Sequence, residues 1–461
     1  MDKNHSPWIA QLNKERKSHT PILKQSYDVA IVGGGIAGMV TAYYTLKRTK
    51  KTISLLEATR IAHGATGHNA GYVGDYFEKP FSEMVEEYGL EMAAEGQKAV
   101  SSAWHLAAEI LEEANIHIPF PRFVGYAGCT TLKQVLVHLE NKRLKRLGGI
   151  HVDKVLLAKE YIKSSDIPEK YHDLCSYVSH EHILLCLETP NKQYIAALQS
   201  KKGTMNSALF VEKLSEYLLE EYHDRFVIRE HAPVDEVNLY KNYAILETNQ
   251  NRITTEHVVL CTNGFENITI HNHHGANIDH TFHDYVSGII GYMAGYIESE
   301  RLPPMAISYF PKSVETSGDD PYFYLTRRLH MWDEIENPLV CIGGPEEIHE
   351  DVRNYSNHFP YSKKAFEEMD TFIQETYPES VAKGITYVFK WHGLMGYTKT
   401  GIRCVGHEPA NERLLYNLGC NGMGILPSIY SGKKIARHLA GEEVEPSIFD
   451  PQIQRSIYIN K

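Results

Sequence analysis

The chain has 461 residues, enough for two or three domain-sized units, and its 43% hydrophobic and 23% charged residues are ordinary for a globular protein. Its formal net charge of -11 argues against nucleic acid or an anionic membrane as a partner, because both favour clustered Lys and Arg. Residues 1–25 lack the apolar core of a signal peptide, and no window is long and apolar enough to span a membrane, so we expect a cytoplasmic protein.

The first predicted element is a strand followed by a glycine-rich turn. Residues 27–32 form an apolar, β-branched run, typical of a buried parallel strand, and lead directly into Gly33, Gly35 and Gly38. Gly33 allows a tight turn, Gly35 lets the backbone approach a pyrophosphate, and Gly38 lets the next helix pack closely on the strand. That helix is predicted over residues 36–48, and its N-terminal end favours phosphate groups.

A carboxylate follows at the distance that this kind of unit requires. A second strand is predicted over residues 52–56, and Glu57 comes directly after it, nineteen residues beyond Gly38. An acid at this strand end can accept hydrogen bonds from both ribose hydroxyls of an adenosine. A glycine triplet alone is a weak signal. The triplet, its flanking strand and helix, and the acid together predict a dinucleotide-binding unit.

More helices and strands are predicted further along the chain. Helices are expected over residues 82–114 and 208–222, and a third contains Leu132, Val135, Leu136 and Leu139 on one face and stops at Gly148. The last of four short strands is apolar throughout and ends in a glycine turn, which is typical of a parallel strand at a ligand-binding edge. The four strands are predicted over residues 226–229, 234–237, 243–247 and 257–261.

The remaining sequence predicts a second layer. Residues 272–384 show mixed, alternating patterns, which favour a mainly antiparallel sheet that covers the cofactor. The predicted fold class is therefore α/β, with a Rossmann-type nucleotide-binding domain and a discontinuous, mainly antiparallel β-sheet substrate domain. We assign residues 20–80, 202–268 and 388–461 to the nucleotide-binding domain, and residues 81–201 and 269–387 to the substrate domain.

A histidine-rich segment surrounds residue 273. Metal binding would require three or four ligands to converge, and the spacing here matches no tetrahedral pattern. We therefore predict a polar surface loop and no metal site. The residues concerned are His271, Asn272, His273, His274, Asp279, His280, His283 and Asp284.

Several motifs occur in the order seen in one flavoprotein family. They are the nucleotide-binding unit, residues 64–71, residues 258–264, Trp391-His392-Gly393 with Thr398 and Gly401, and residues 419–424. In these motifs the chain resembles the D-amino-acid-oxidase-like flavoproteins, the superfamily of glycine oxidase, sarcosine oxidase, dimethylglycine dehydrogenase and γ-glutamylputrescine oxidase. The resemblance covers residues 27–441 and is specific for FAD but only weakly specific for substrate.

The resemblance implies where FAD binds. Val234 would read the adenine edge, residues 66–71 would lie beneath the flavin ring, and a loop before a helix over residues 431–439 would face the flavin N1 and C2 oxygen. No second G-x-G-x-x-G motif follows a strand, which speaks against a nicotinamide cofactor beside the flavin. The implied cofactor-binding residues are Gly33, Gly35, Ile36, Ala37, Gly38, Glu57, Ala58, Thr66, Gly67, His68, Asn69, Ala70, Gly71, Val234, Thr262, Asn263, Gly264, Trp391, Gly393, Gly422, Met423, Gly424 and Ile425.

The resemblance also implies the reaction, which is oxidation of a C–N bond by hydride transfer to flavin N5, followed by hydrolysis of the imine. The expected partners are an amine or amino-acid substrate, and O2 or an electron carrier. Two lysines of the sarcosine-oxidase pattern are absent. The position of the lysine that helps oxygen to react with the flavin falls on Cys341, and the position of the lysine that anchors the substrate carboxylate falls near Leu426. The candidate replacements for that anchor are Arg327, Arg328 and Arg403.

Two questions stay open on the sequence. At His68 the chain resembles dimethylglycine and sarcosine dehydrogenases, in which the histidine is bonded to the flavin 8α-methyl. A histidine in a cofactor loop is, however, more often a hydrogen-bonding group than a nucleophile, so we expect noncovalent FAD. The alternatives to an oxidase are a dehydrogenase that passes electrons to a quinone or carrier, a flavin-bound sensor or assembly protein with little turnover, and a nicotinamide dehydrogenase.

Overall fold

A computed structural model gives the fold. The structure describes residues 4–249, 251–264, 267–279, 285–298, 300–312, 322–332, 335–349, 355–377 and 384–459.

The first sheet contains the predicted nucleotide-binding strands. Strand β1 (Ser26–Val32) pairs in parallel with β2 (Ile53–Leu56) on one side and with β11 (Arg252–Leu260) on the other. The carboxyl ends of the three strands therefore meet at one edge of the sheet, where ligands of such folds bind. Within the described ranges the other strands of this sheet are β8 (Phe226–Arg229), β9 (Val234–Leu239), β10 (Ala244–Thr248), β12 (Thr269–Asn272), β18 (Cys404–Glu408) and β19 (Asn411–Leu418). All four short strands predicted from the sequence are present.

The second sheet confirms the expected antiparallel layer. Most neighbouring strands in it run antiparallel, and the parallel pairs are β14 with β4 and β5 with β6. Its described strands are β3 (Tyr72–Val73), β4 (Arg122–Cys129), β5 (Val155–Ala158), β6 (Cys175–Val178), β7 (Ala196–Thr204), β13 (Val286–Ile297), β14 (Met305–Phe310), β15 (Phe323–Trp332), β16 (Ile335–His349) and β17 (Tyr387–Thr398). The α/β fold class with two sheets is as predicted.

Helices cover the two sheets. Those in the described residues are α1 (Pro7–Ala10), α2 (Ile36–Arg48), α3 (Phe81–Tyr88), α4 (Leu90–Glu113), α5 (Leu132–Leu147), α6 (His180–Cys186), α7 (Ser207–Glu221), α8 (Lys363–Thr376), α9 (Ile425–Leu439) and α10 (Pro451–Ile459). Helix α5 begins with a capping box between Thr131 and Gln134 and ends before Gly148, as its sequence predicts.

Two helices differ from their predicted bounds. The stretch predicted as one helix over residues 82–114 is two helices, because Gly89 has a φ of +80° and interrupts the hydrogen-bond ladder. Helix α9 begins at Ile425, six residues before the predicted start at Ser431, because Pro427 lies in its first turn, where no backbone N–H is needed.

Close packing of α9 on α2 fixes where both helices begin. A Cβ on Gly432 would lie 2.8 Å from the backbone nitrogen of Thr41, so only glycine allows this approach. The N-terminal ends of α2 and α9 both reach the carboxyl edge of the first sheet, since residues of both line the cavity there. Two helix N-termini, with their N–H groups that have no partner within the helix, therefore meet at one site.

Two of the predicted domain boundaries do not coincide with the boundaries between the two sheets. Strand β17 pairs with β13 of the second sheet, although the boundary at residue 388 assigns almost all of it to the first domain. Strand β12 pairs with β9 of the first sheet, although it follows the boundary at residue 269. The domain boundaries remain a prediction. Membership of the two sheets would move the boundary at residue 269 about four residues later, and the boundary at residue 388 about eleven residues later.

Candidate functional site

A large cavity lies at the carboxyl edge of the first sheet and continues to the face of the second. Its volume is about 790 Å³. Val32, Leu56 and Cys261 line it at the ends of β1, β2 and β11. This volume lies within the range of small-molecule and cofactor sites, roughly 300–1,000 Å³.

The glycine turn after β1 is held by close backbone contacts. Gly33 has a φ of +108°, and a Cβ there would lie 2.6 Å from the carbonyl oxygen of Cys261. A Cβ on Gly38 would lie 1.9 Å from the carbonyl oxygen of Gly33. At Gly35 the protein atom nearest to an added Cβ is the Thr66 hydroxyl, at 2.8 Å. Gly33 and Gly38 are thus required by the fold itself, whereas Gly35 faces the cavity.

Glu57 lies at the end of β2 and lines the cavity beside the turn. Its Oε2 accepts a hydrogen bond from the Gly34 N–H at 2.8 Å, and its Oε1 accepts one from the Thr59 N–H at 2.8 Å. Burial raises the pKa of the Glu57 carboxyl, and the bonds from Thr59 and Gly34 oppose that shift. The Thr59 hydroxyl also donates to Oε1, at 3.0 Å. A carboxylate has about four acceptor positions, so one is open to a ribose hydroxyl and a second becomes open when the Thr59 hydroxyl rotates away.

Residues 64–71 form a tightly bonded loop beneath the cavity. The Asn69 side-chain amide donates to the Thr66 carbonyl oxygen at 2.7 Å and to the Ser207 hydroxyl at 2.7 Å. The indole nitrogen of Trp391 donates to the Asn69 carbonyl oxygen at 3.1 Å. A Cβ on Gly393 would lie 2.5 Å from the carbonyl oxygen of His68, so β17 packs directly on the loop.

His68 lines the cavity from this loop. Its Nδ1 lies 3.0 Å from the carbonyl oxygen of Gly64. A carbonyl oxygen can only accept, so this contact assigns the proton to Nδ1 and the lone pair to Nε2. Burial lowers the pKa of His68 to about 4, and the imidazole is therefore neutral at physiological pH.

The loop before α9 closes the cavity on the opposite side. The N–H of Thr398 donates to the Asn421 side chain at 2.8 Å, which fixes the loop to β17. Gly422 has a φ of +74°, and a Cβ there would lie 2.7 Å from the side chain of Glu78. Gly422, Met423, Gly424 and Ile425 line the cavity, so the first turn of α9 faces its interior.

The structure brings most of the predicted cofactor-binding residues to this cavity. Those that line it are Gly33, Gly35, Ile36, Ala37, Glu57, Ala58, Thr66, His68, Asn69, Ala70, Val234, Thr262, Asn263, Gly393, Gly422, Met423, Gly424 and Ile425. The other five, Gly38, Gly67, Gly71, Gly264 and Trp391, do not line it. They contact the backbone or side chains behind its wall, as Gly38 does at Gly33 and Gly264 at Val286.

Arg327 does not line the cavity. Its guanidinium forms two parallel hydrogen bonds to the Glu188 carboxylate, at 2.9 and 2.8 Å, and its Nε donates to the carbonyl oxygen of Pro303. These contacts make Arg327 part of a structural ion pair.

Arg328 supports the loop from behind. It donates to the carbonyl oxygens of Gly71 at 2.9 Å and Ala70 at 2.8 Å and lies 4.3 Å from the Trp8 ring. The N–H donors of Arg328 point to the loop backbone, and the side chain does not line the cavity. We therefore do not propose Arg328 or Arg327 as the anchor of a substrate carboxylate.

The two other candidate catalytic residues are also held by the protein. Arg403 lines the cavity, but its Nε donates to the Asn417 side chain at 2.7 Å and its two terminal nitrogens donate to backbone carbonyl oxygens. Burial lowers the pKa of Arg403 to about 10. Cys341 is fully buried in the core and does not line the cavity. Burial raises the pKa of the Cys341 thiol to about 12, so it stays protonated.

Sequence reasoning missed several polar residues that face the cavity from the second sheet and from the loops beside it. Glu78 and Glu346 line it together with Tyr72, Tyr322, Tyr324 and Tyr397. The Tyr322 hydroxyl lies 3.2 Å from Glu78 Oε1. The sequence did contain a signal for Glu346. The residues Gly343-Gly344-Pro345 interrupt a strand directly before this carboxylate, and such an interruption is typical of a β-bulge beside a functional site.

The histidine-rich segment lies on the surface. His273 Nε2 contacts the Asn238 side chain at 2.9 Å, and its ring stacks on Tyr240 at 4.7 Å. His280, His283 and Asp284 lie outside the described residues. In the described ranges, no three His, Cys, Asp or Glu side chains converge as metal ligands would. Over the same ranges, no helix has the length and apolar character needed to cross a membrane.

Residues 28–438 match the family model DAO, the FAD dependent oxidoreductases. The chain belongs to this family. It is thus an FAD-dependent oxidoreductase, and the resemblance given by its motifs is confirmed. Over 142 residues, 31% of the chain, it is 28% identical to the Rieske 2Fe-2S iron-sulfur protein YhfW of Bacillus subtilis (strain 168). Over 108 residues, 23% of the chain, it is 29% identical to γ-glutamylputrescine oxidoreductase of Escherichia coli (strain K12).

The matched part of the chain spans about a quarter of each of these curated proteins, 26% and 24%.

Among solved structures, L-proline dehydrogenase from P. horikoshii superposes with a TM-score of 0.68 at 16% identity, covering 94% of this chain and 99% of that chain. At this identity the superposition shows a common fold.

The cavity fits the FAD of this family. It runs from Val234 and Glu57, past Gly35 and the N-terminus of α2, to the loop before α9. A side chain on Gly35 would fill the space beside the helix N-terminus, which is where a pyrophosphate binds. The two helix N-termini and the Glu57 carboxylate supply a donor and acceptor set that suits phosphates and ribose hydroxyls.

Proposed function

We propose that the chain oxidises the C–N bond of an amine and that the cavity described above holds both FAD and the substrate. When bound, FAD accepts the hydride, with its two electrons, that leaves the carbon bearing the amine. The nitrogen lone pair forms the C=N bond, the nitrogen loses one proton, and water hydrolyses the resulting imine. The residues of this chain orient the amine and exclude bulk water during transfer.

One observation carries this proposal. Residues 64–71 are the predicted flavin-binding loop. Apart from this loop, the cavity is walled by Glu78, Glu346 and a group of tyrosines. Its one lining guanidinium among the described residues, that of Arg403, is bonded to the protein. Carboxylates and aromatic rings attract an ammonium group, whereas an acidic substrate would require a free cation. The names of the γ-glutamylputrescine oxidoreductase and L-proline dehydrogenase relatives support the same bond type.

The test is anaerobic bleaching of the bound flavin with a panel of primary amines, secondary amines and amino acids. We expect at least one amine to bleach the flavin faster than the amino acid of matching carbon chain. Bleaching by none of the compounds would contradict the proposal and favour the sensor or assembly role.

A dehydrogenase is the second candidate. No lysine lines the cavity in the part of the chain that the structure describes, and Cys341, at the expected position of the oxygen-activating lysine, is buried outside it. A Rieske iron-sulfur protein among the relatives is named for an electron-transfer centre. Peroxide release measured against dye reduction, with the same amine, separates the two: peroxide at the rate of amine oxidation would exclude the dehydrogenase.

Acid release tests how FAD is attached. We expect noncovalent FAD, because a histidine in a cofactor loop is more often a hydrogen-bonding group than a nucleophile, and Nδ1 of His68 already donates to the Gly64 carbonyl oxygen. Acid precipitation should therefore leave a colourless pellet, and the intact mass should equal that of the polypeptide. His68→Ala protein serves as the control and should give the same result. A yellow pellet from the parent alone, with a mass increase of one FAD, would establish a covalent link at His68.

A further inference from the structure

Glu346 belongs to a row of three residues that crosses the second sheet. Gly291 of β13 is the partner of Glu346 on β16 and of Gly393 on β17. Directly paired residues project to the same face of a sheet. A Cβ on Gly393 would meet His68, and one on Gly291 would meet Met395, so this face is the wall of the cavity. The row therefore runs along the cavity wall from the carboxylate to Gly393, which packs on residues 64–71.

A bulge in β16 directs Glu346 to this face. The register between β13 and β16 shifts between Gly291 and Met293, and Gly344 and Pro345 of β16 lie opposite that shift. The next residue, Glu347, projects the other way. Its Oε2 accepts from the Tyr292 hydroxyl at 2.8 Å and its Oε1 from the Ser362 hydroxyl at 3.0 Å. Two adjacent carboxylates on one strand thus have different surroundings, one bonded behind the sheet and one in the cavity.

No cationic group among the described residues around the cavity neutralises the Glu346 carboxylate. Among the described residues, its carboxylate forms no hydrogen bond or ion pair. Arg403 is bonded to Asn417, and His68 is neutral. Lys202 lies behind the Tyr72 ring, at 5.2 Å, and donates to the Tyr126 carbonyl oxygen.

Glu78 adds a second negative charge to the same space. Burial raises the pKa of the Tyr397 and Tyr324 hydroxyls, and the nearby charges of Glu346 and Glu78 raise both further. The wall opposite the predicted flavin-binding loop is therefore acidic and aromatic. Glu346 lines this space without a cationic partner among the described residues, and an ammonium group of a ligand would provide its counter-charge.

We propose that the substrate carries a second cation, and that Glu346 binds this remote ammonium group while the amine to be oxidised lies beside residues 64–71. This assignment rests on the proposed amine oxidation and narrows its substrate to the diamine class. Two strand spacings separate Glu346 from Gly393, which is about 10 Å. A short straight-chain diamine spans such a distance in extended form, and the tyrosines contact its methylene chain and ammonium group.

The first arm of the test measures turnover. Straight-chain diamines are compared with monoamines of equal chain length, in the parent and in the Glu346→Gln and Glu347→Gln variants of the FAD-loaded protein. In the parent, kcat/KM for the diamine should exceed that for the monoamine by about tenfold or more. Glu346→Gln should bring this ratio close to one, mainly through KM for the diamine. Glu347→Gln removes the neighbouring charge from the other face and should retain the ratio.

The second arm measures binding without turnover. Straight-chain bis(trimethylammonium) compounds and their monocationic counterparts carry no N–H and form no imine, and their binding is followed by the change in the flavin spectrum. The dication should bind about tenfold or more tightly than the monocation, and Glu346→Gln should abolish the difference.

The two arms distinguish the possible failures. Glu346-dependent dication binding without bleaching by any amine would support the ammonium site and overturn amine oxidation. Amine oxidation with equal rates for monoamines and diamines, or with unchanged ratios in Glu346→Gln, would overturn the ammonium site alone. Preference for an amino acid over both would overturn it as well.

Discussion

Gly35→Val protein is expected to fold and to be colourless. Gly35 lines the cavity at the N-terminus of α2, where the backbone has to approach the pyrophosphate of FAD. The protein atom nearest to an added Cβ is the Thr66 hydroxyl at 2.8 Å, which accepts from the Ile36 N–H and has to shift, whereas no backbone atom of another segment lies within 4 Å. The isopropyl group therefore occupies the phosphate site at little cost to the fold. Visible absorbance of the purified protein and far-ultraviolet circular dichroism measure the two effects separately.

Gly38→Val is the matched comparison for this experiment. A Cβ at Gly38 would lie 1.9 Å from the carbonyl oxygen of Gly33, and backbone cannot yield as a side chain does. This variant should lose its folded structure together with the flavin, whereas Gly35→Ala should retain the fold and bind FAD weakly. Yellow Gly35→Val protein with the parent's absorbance ratio would mean that the pyrophosphate binds elsewhere.

Glu57→Ala protein is expected to purify largely without FAD while remaining folded. Two ribose hydroxyls donating to the carboxylate would each contribute roughly 1.5–3 kcal/mol, so their loss should weaken FAD binding by about a hundredfold or more. Titration of the apoprotein with FAD, followed by quenching of flavin fluorescence, measures this change. Glu57→Gln, which keeps the size but not the charge, should fall between the parent and Glu57→Ala.

Thr59→Ala controls for the local structure around Glu57. The Thr59 hydroxyl donates to Glu57 Oε1 at 3.0 Å from the exposed side of the turn. Its removal disturbs the bonding of the carboxylate without removing the acceptor, so FAD affinity should stay near that of the parent. Equal FAD affinity in Glu57→Ala and the parent would show that the ribose contact is wrong.

The FAD half of the site could be predicted because its residues are close in sequence and constrained by backbone geometry. The turn from Gly33 to Gly38 demands glycine at fixed spacing, and Glu57 follows within one strand–helix–strand unit. The loop with His68 and the loop with Gly422 were found through resemblance, and both line the cavity. Their exact roles toward the flavin remain predictions that the acid-release and FAD-binding experiments address.

The substrate half could not be predicted, because pairing between distant strands decides it. Arg327 and Arg328 are adjacent in β15 and project to opposite faces of the sheet, so Glu188 binds one and the backbone of residues 70–71 binds the other. Nothing local in the sequence indicates either partner, and each arginine would have served equally well as a substrate anchor.

The sequence alone determined the α/β class, the nucleotide-binding unit and the family, since these depend on local periodicity and on glycines that the backbone requires. Only the tertiary structure decided which charges face the cavity. Glu346 and Glu347 are chemically identical neighbours, and the bulge opposite Gly291 places one in the cavity and the other behind the sheet. A shift of one residue in strand register exchanges the two faces, and that register is set by contacts between distant segments of the chain.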